Sequence, residues 1–188
     1  MILRLLPALI LLALLAACGE RAPVGDVPLP KAYPRIVVYD SVYAPVDSLP
    51  LVWECNTSAK AKVNNLGTKC YVNIVYPAYS ATLYLSFFNV TSEKDRLRVL
   101  FNRHDRMFFN AGASDSELTE FLTPAGFEVK MMVTPMGSPV PLQLLAIGSQ
   151  WIVSGALHML QAPESADSVA PVIRAVERDV VHAMMQMR

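Results

Sequence analysis

The first eighteen residues decide which part of this chain is available to fold. Arg4 precedes an almost unbroken apolar run over residues 5–15, and small residues then lead into a cysteine at Leu15-Ala16-Ala17-Cys18. This order is typical of a secretory signal peptide with a lipoprotein processing site. The apolar run is shorter than the about 20 residues that a membrane-spanning helix needs. We therefore expect residues 1–17 to be removed as a signal peptide, which makes Cys18 the first residue of the mature protein.

Cys18 is the predicted lipidation site. Its thiol can take a diacylglycerol in thioether linkage, and its amine can take a further acyl chain, so that several chains anchor the protein stably. The alternative is an ordinary signal peptide with a cysteine at its boundary by chance. Residues 18–34 contain four prolines and no apolar periodicity, which predicts a lipid-anchored tether. Gly19 replaces the aspartate that commonly retains lipoproteins at the inner membrane, which favours the outer membrane.

A location outside the cytoplasm also bears on the two remaining cysteines. Cys55 and Cys70 are an even pair in an oxidising compartment, and we expect a disulfide between them. Such a bridge would stabilise the fold by roughly 3 kcal/mol on the chain-entropy model. The alternative is two buried thiols that never meet. We expect no metal or other cofactor, because the chain has no Cys-x-x-Cys motif and its three histidines are far apart.

The charge balance argues against one class of partner. The chain has 16 Lys and Arg residues and 16 Asp and Glu residues, so its formal net charge is zero. A nucleic-acid-binding protein is expected to have a basic face or stripe, and we therefore expect no nucleic-acid partner. Residues 35–188 are long enough for one domain with a sizeable core.

Hydrophobic patterns over residues 35–188 alternate between strand and helix signals. Residues 64–67 have the composition of a turn, and amphipathic helices are predicted at about 92–111 and 167–187. Runs of strands interrupted by two helices predict a single α+β domain. Its sheet is expected to be mostly antiparallel, with about five to seven strands, and covered on one face by the helices. The predicted strands span residues 35–39, 51–55, 70–76, 81–87, 127–133, 142–147 and 151–160.

Apolar side chains on the first predicted helix recur at helical spacing. They are expected to face the sheet, and the helix is expected to begin at Ser92, with acidic residues in its first turn. The residues of this predicted stripe are Leu97, Leu100, Phe101, His104, Phe108 and Ala111.

Two histidines are candidates for catalysis. His104 lies on the predicted stripe, and Asp105 lies about 100° around the helix from it, where it cannot orient the imidazole. His158 lies within a predicted strand. The chain has no Gly-x-Ser-x-Gly elbow, phosphate-binding loop or His-Glu-x-x-His motif. We therefore expect no catalytic residues and no enzyme, and a hydrolase that uses His104 or His158 is kept as an alternative.

The polar side of the second predicted helix is a candidate partner surface. Arg174, Arg178 and His182 recur at spacings of four, and Met185 lies beside the apolar stripe. This basic ridge could meet an acidic partner, with Met185 as an adaptable apolar contact. The alternative is a solvated helix face.

Four stretches carry a resemblance to a known family. They are Pro28-Leu-Pro-Lys-Ala-Tyr-Pro-Arg-Ile36, residues 70–86, Ser154-Gly-Ala-Leu-His-Met-Leu160, and Asp167-Ser-Val-Ala-Pro-Val-Ile173 followed by Asp179-Val-Val-His182. In these stretches the chain resembles the gliding-motility-associated lipoprotein GldD family of Bacteroidetes. The family also has a cysteine near the position of Cys55, which fits the expected bridge.

The resemblance implies a non-enzymatic accessory or scaffold component of the gliding motility and type IX secretion machinery. Its implied partners are envelope proteins of that machinery and the membrane that holds the lipid on Cys18. The implied location is the periplasmic side of the cell envelope. The alternative is a periplasmic lipoprotein that carries an apolar ligand between its sheet and its helices.

Overall fold

A seven-stranded antiparallel sheet forms the centre of the protein. The computed structural model describes residues 39–66, 69–111, 115–134, 138–160 and 166–188. The described elements are β1 (Tyr43–Pro45), β2 (Glu54–Asn56), β3 (Lys60–Leu66), β4 (Lys69–Tyr76), β5 (Ala81–Asn89), α1 (Glu93–Ala111), β6 (Glu117–Leu122), β7 (Glu128–Val133), β8 (Leu142–Ile147), β9 (Trp151–Met159) and α2 (Ala166–Gln186). The large sheet has the order β3-β4-β5-β9-β8-β7-β6. The prediction of a single α+β domain with an antiparallel sheet is confirmed.

The larger hydrophobic core lies between one face of this sheet and α2. Leu85 of β5 pairs with Gly155 of β9, which in turn pairs with Leu144 of β8. A Cβ atom on Gly155 would lie 2.7 Å from Leu85 Cδ2 and 2.8 Å from Leu144 Cγ, so the two leucines fill the space above the glycine. From α2, the core receives the small and apolar side chains of Val172, Ala175, Val176, Val180, Ala183 and Met184.

β1 and β2 form a separate two-stranded antiparallel sheet, and β2 packs against α2. The indole of Trp53 is buried just before β2 and meets the ring of Phe87 edge to face, with centroids 6.0 Å apart. The amide of Val52 donates a 3.1 Å hydrogen bond to the main-chain oxygen of Arg188. The segment that joins β1 to β2 is thus hydrogen-bonded to the last residue of the chain.

α1 lies on the opposite face of the sheet and crosses β8 and β9. Its start is capped as predicted, because the amide of Asp95 donates a 3.1 Å hydrogen bond to Ser92 Oγ. The expectation that both helices cover one face is wrong, since β5, β8 and β9 also direct apolar side chains to the other face. A smaller core forms there from Phe88, Val90, Met107, Ala111, Met132, Leu145 and Ile152.

The predicted turn at residues 64–67 is also wrong, and β1, β3 and β6 were not among the predicted strands. Residues 64–66 are not in a turn: they continue β3 and pair with residues 69–71 of β4. β6 was not predicted, because its sequence Glu-Leu-Thr-Glu-Phe-Leu has no clean apolar alternation. Residues 35–38 of the first predicted strand lie outside the described residues.

Candidate functional site

The structure divides the predicted partner surface on α2. His182 stacks on the ring of Tyr43 with centroids 3.7 Å apart, and its Nε2 lies 2.7 Å from Glu54 Oε2. Arg178 donates a 3.1 Å hydrogen bond to the main-chain carbonyl of Tyr39. Arg178 and His182 therefore bind the segment that runs from Tyr39 to Glu54 and hold it against α2.

Arg174 and Met185 face solvent, and Arg178 is also exposed despite its contact with Tyr39. Arg174 is exposed, and Met185 is 39 % exposed. The four side chains therefore do not act as one uncovered basic ridge, because the β1–β2 sheet lies against part of it. A partner contact at Arg174, Arg178, His182 and Met185 stays a prediction.

Asp179 is the buried charged group behind this contact. Tyr43 Oη donates a 2.9 Å hydrogen bond to Asp179 Oδ1, and Arg178 lies 3.6 Å from the same oxygen. Burial raises the pKa of Asp179, and the hydrogen bond from Tyr43 and the charge of Arg178 oppose this shift. No motif in the sequence indicates this role, and the available signal was the position of Asp179 beside Val180 on the apolar stripe of α2.

Both described cysteines are free thiols. Cys55 of β2 lines a small void with Tyr76, the last residue of β4, whereas Cys70 is the second residue of β4. Because a strand rises about 3.3 Å per residue, Cys70 lies about 20 Å along β4 from Tyr76. Bridged cysteines need Cα atoms within about 7 Å. The predicted disulfide is therefore not formed in this structure, and burial raises the pKa of both thiols.

Neither candidate histidine is arranged as a catalytic base. His104 is exposed, and its ring lies 4.6 Å from that of Phe108. His158 meets Tyr84 edge to face at 5.1 Å, and its pKa is lowered by burial and by the charge of Arg106. Within the described ranges, neither imidazole makes a hydrogen bond to a hydroxyl or a carboxylate. The arrangement thus offers no oriented nucleophile and base.

The interface between the large sheet and α2 is densely packed. The void among Trp53, Tyr76, Asp179 and Val180 has no room for a water molecule. An apolar ligand between sheet and helix would need a cavity of several hundred Å³. This part of the core therefore gives no support to the apolar-carrier alternative.

The apolar stripe predicted for α1 faces solvent instead of the sheet along most of its length. Leu97, Phe101 and Phe108 are 58 %, 72 % and 46 % exposed. The helix buries Met107 instead, and Phe108 lies about 100° around the helix from it. Of the predicted stripe, Ala111 is buried and Leu100 is half-buried. The result is a helix with one apolar stripe against the sheet and a second stripe exposed.

Polar contacts fix this rotation of α1. Gln143 of β8 is buried, and its side-chain amide donates a 3.0 Å hydrogen bond to the main-chain carbonyl of Met107. The Gln143 carbonyl oxygen accepts a 3.0 Å hydrogen bond from Asn110. At the other end of the helix, Arg96 donates a 2.6 Å hydrogen bond to the carbonyl of Gly148. These contacts direct Met107 inward and leave the larger aromatic side chains outside.

Two leucines of β6 are also exposed on the side of the sheet that α1 covers. Leu118 pairs with Met132 of β7, whose side chain belongs to the α1-side core, so Leu118 points to that side as well. Leu122, four residues further along the strand, has the same orientation, and both leucines are exposed. We call Leu97, Phe101, Phe108, Leu118 and Leu122 the α1–β6 surface.

Comparison with known proteins identifies the family. The family model described as gliding motility lipoprotein GldD matches residues 25–188, which include every described residue. No curated protein matches the chain. Within the described ranges, no helix has the length and apolarity that a membrane crossing requires. The match confirms the resemblance seen in the sequence, and the chain belongs to the gliding motility lipoprotein GldD family.

Proposed function

We propose that this protein is a lipid-anchored docking component of the gliding motility and type IX secretion machinery. In this proposal it binds a protein partner through the α1–β6 surface and has no catalytic activity. The single observation that carries the proposal is the exposed stripe of Leu97, Phe101 and Phe108 on a helix that buries a different stripe.

Apolar side chains of this size forgo the favourable free energy of burial unless a partner covers them. Phe101 alone leaves most of its ring in water, and burying such a side chain contributes about 1.5–3 kcal/mol. Scattered single apolar residues on a surface are ordinary, but a group on one side of a domain marks an interaction site. Aromatic residues, Phe among them, are also enriched in protein interfaces relative to the rest of the surface.

A charged pair and an open strand edge accompany the apolar side chains of the α1–β6 surface. Glu120 lies between the two leucines on β6, and it forms a 2.7 Å ion pair with Lys130 of β7. β6 is an edge strand of the large sheet, so its outer main-chain groups can pair with an added strand. The surface thus combines apolar side chains, a charged pair and an open strand edge, all of which a protein partner can contact.

The lipid anchor and tether place this surface within reach of envelope proteins. We propose that Cys18 holds the protein at the outer membrane and that the domain faces the periplasm. A proline-rich tether of residues 19–34 would span up to roughly 50 Å. Membrane fractionation of the Cys18→Ser variant tests the anchor, and we expect the variant to leave the membrane fraction. Unchanged fractionation would contradict the anchor without bearing on the α1–β6 surface.

Site-specific photo-crosslinking tests the docking surface. A photoreactive residue at position 101 in the native lipoprotein is expected to capture a motility or secretion protein in intact envelopes. The matched control is position 66, because Leu66 is 68 % exposed and lies on β3 at the opposite edge of the sheet. We expect no specific capture from that position.

Two outcomes would overturn the docking proposal. Equal capture of the same proteins from positions 66 and 101 would show that the α1–β6 surface has no special role. Capture of lipid alone from position 101 would assign the stripe to the membrane surface instead. In support, the Phe101→Gln variant should lose the partner while its free energy of unfolding changes by less than about 0.5 kcal/mol.

A further inference from the structure

A polar pocket lies between α1 and the large sheet, beside the smaller core. Its volume is about 280 Å³. The sheet contributes Ser86, Ser154 and His158, and the helix contributes Arg103 and Arg106. The pocket therefore brings together cationic and hydroxyl groups from three elements.

The floor of the pocket follows from the alternation of side chains along β5 and β9. Ser86 pairs directly with Ser154 across the two strands, so their side chains lie side by side on the α1 side of the sheet. The neighbouring residues Leu85 and Gly155 face the α2 side. His158, four residues beyond Ser154, points to the same side as the serines.

The wall of the pocket is positively charged. Arg103 and Arg106 are three residues apart on α1, and the guanidinium of Arg103 lies 4.7 Å above the ring centre of Phe88. Burial and the charge of Arg106 lower the pKa of Arg103. No carboxylate is among the residues lining the pocket, and in the described part of the chain neither arginine forms an ion pair.

We propose that this pocket binds the phosphoryl group of an anionic ligand. Guanidinium groups recognise phosphate oxygens through paired hydrogen bonds, and the serine hydroxyls supply further donors. A phosphoryl group has three or four oxygens for these donors, whereas a carboxylate has two. The volume suits a headgroup-sized ligand and lies just below the range for drug-sized molecules.

The phosphoryl group can come from a soluble phosphate ester or from a phospholipid headgroup. The test uses the whole processed lipoprotein in nonionic detergent, with calorimetric titration at constant ionic strength. The probes are glycerol 3-phosphate and a short-chain phosphatidic acid, with chloride as the anion control. We expect saturable binding of the phosphorylated probes only. Equal affinities support a soluble ester as the ligand, and tighter binding of the phosphatidic acid supports a phospholipid headgroup.

Substitutions decide whether the pocket is responsible. The Arg106→Gln variant is expected to weaken binding about tenfold or more, as is typical when a hydrogen bond to a charged group is lost. Ser154→Ala should weaken binding by a smaller factor. The control is Arg98→Gln, which removes an arginine of α1 that is 75 % exposed and does not line the pocket, and it should leave the affinity unchanged.

The proposal is overturned if no phosphorylated probe binds saturably. It is also overturned if Arg106→Gln binds the probes as tightly as the unchanged protein, or if Arg98→Gln weakens binding as much as Arg106→Gln does. Arg106 is exposed, so its substitution is not expected to disturb folding. Far-ultraviolet circular dichroism of each variant checks this.

Discussion

The two faces of the large sheet are covered very differently. On the α2 face, leucines, valines and methionines fill the space so closely that no side chain larger than the hydrogen of Gly155 fits at that position. On the α1 face, the core is smaller, a polar pocket of about 280 Å³ remains open, and Leu97, Phe101 and Phe108 face solvent.

This difference separates stability from recognition within one sheet. A closely packed core contributes most of the folding free energy and tolerates little change. A face with uncompensated charge and exposed aromatic side chains contributes less to folding and is available for binding. We therefore assign the stability of the domain mainly to the α2 face, and both proposed contacts to the α1 face.

The largest expected effect comes from adjacent methionines near the end of α2. Met184 is fully buried, and Met185 is 39 % exposed. We expect Met184→Ala to lower the free energy of unfolding by about 2–5 kcal/mol, because it leaves a cavity in the core. Met185→Ala should change it by less than about 0.5 kcal/mol. Urea unfolding measures both, and equal losses would contradict the packing assigned to the α2 face.

Neighbouring residues of β9 give the next comparison, because they point to opposite faces. Gly155→Ala is expected to cost about 1–3 kcal/mol, since the new methyl group would overlap Leu85 and Leu144. Ala156→Ser adds one atom toward the polar pocket and should cost less than about 1 kcal/mol. Thermal unfolding compares the variants. A costlier change at Ala156 would show that the pocket side is packed as closely as the core.

These same elements show how far the sequence could predict the structure. The alternation of apolar and polar residues predicted β5, and the apolar stripe of α2 predicted which side of that helix is buried. Both predictions are possible because each pattern arises when one side of an element packs against a single neighbour. The rotation of α1 could not be predicted, since it depends on Gln143 and Gly148, which come more than thirty residues after their partners in the helix. A periodic pattern on a helix shows which side is apolar but not whether that side is covered.

The candidate site was predictable only in part. His182 and Arg178 were identified as a pair on one helix side, but their contacts with Glu54 and Tyr39 join segments far apart in the chain. The pocket was missed because Ser86 and Ser154 carry no motif, and they meet only through the pairing of β5 with β9. Strand pairing at long range is set by the whole sheet and cannot be read from local composition.

Asp179 allows a test of the α2 face by pH. Burial raises its pKa, so the folded protein binds a proton where the unfolded chain has already released it. Stability therefore falls as pH rises above the ordinary carboxyl pKa of about 3.9 and through the raised value. Asp179→Asn removes this loss, and the variant should gain stability relative to the unchanged protein between pH 4 and 7. A pH-independent difference in urea unfolding would contradict the assignment.

The smallest expected effect concerns the two cysteines, both of which lie on the α2 side. If both are free thiols, Cys55→Ala should change the free energy of unfolding by less than about 1 kcal/mol. Alkylation of the unfolded protein without reductant should add two labels, with Cys55 reacting before the buried Cys70 in the folded state. A bridge would instead block both labels and make the substitution cost about 3 kcal/mol. That result would require the ends of β4 to pack differently from the arrangement seen here, because Cys55 lies near Tyr76 and Cys70 at the opposite end of the strand.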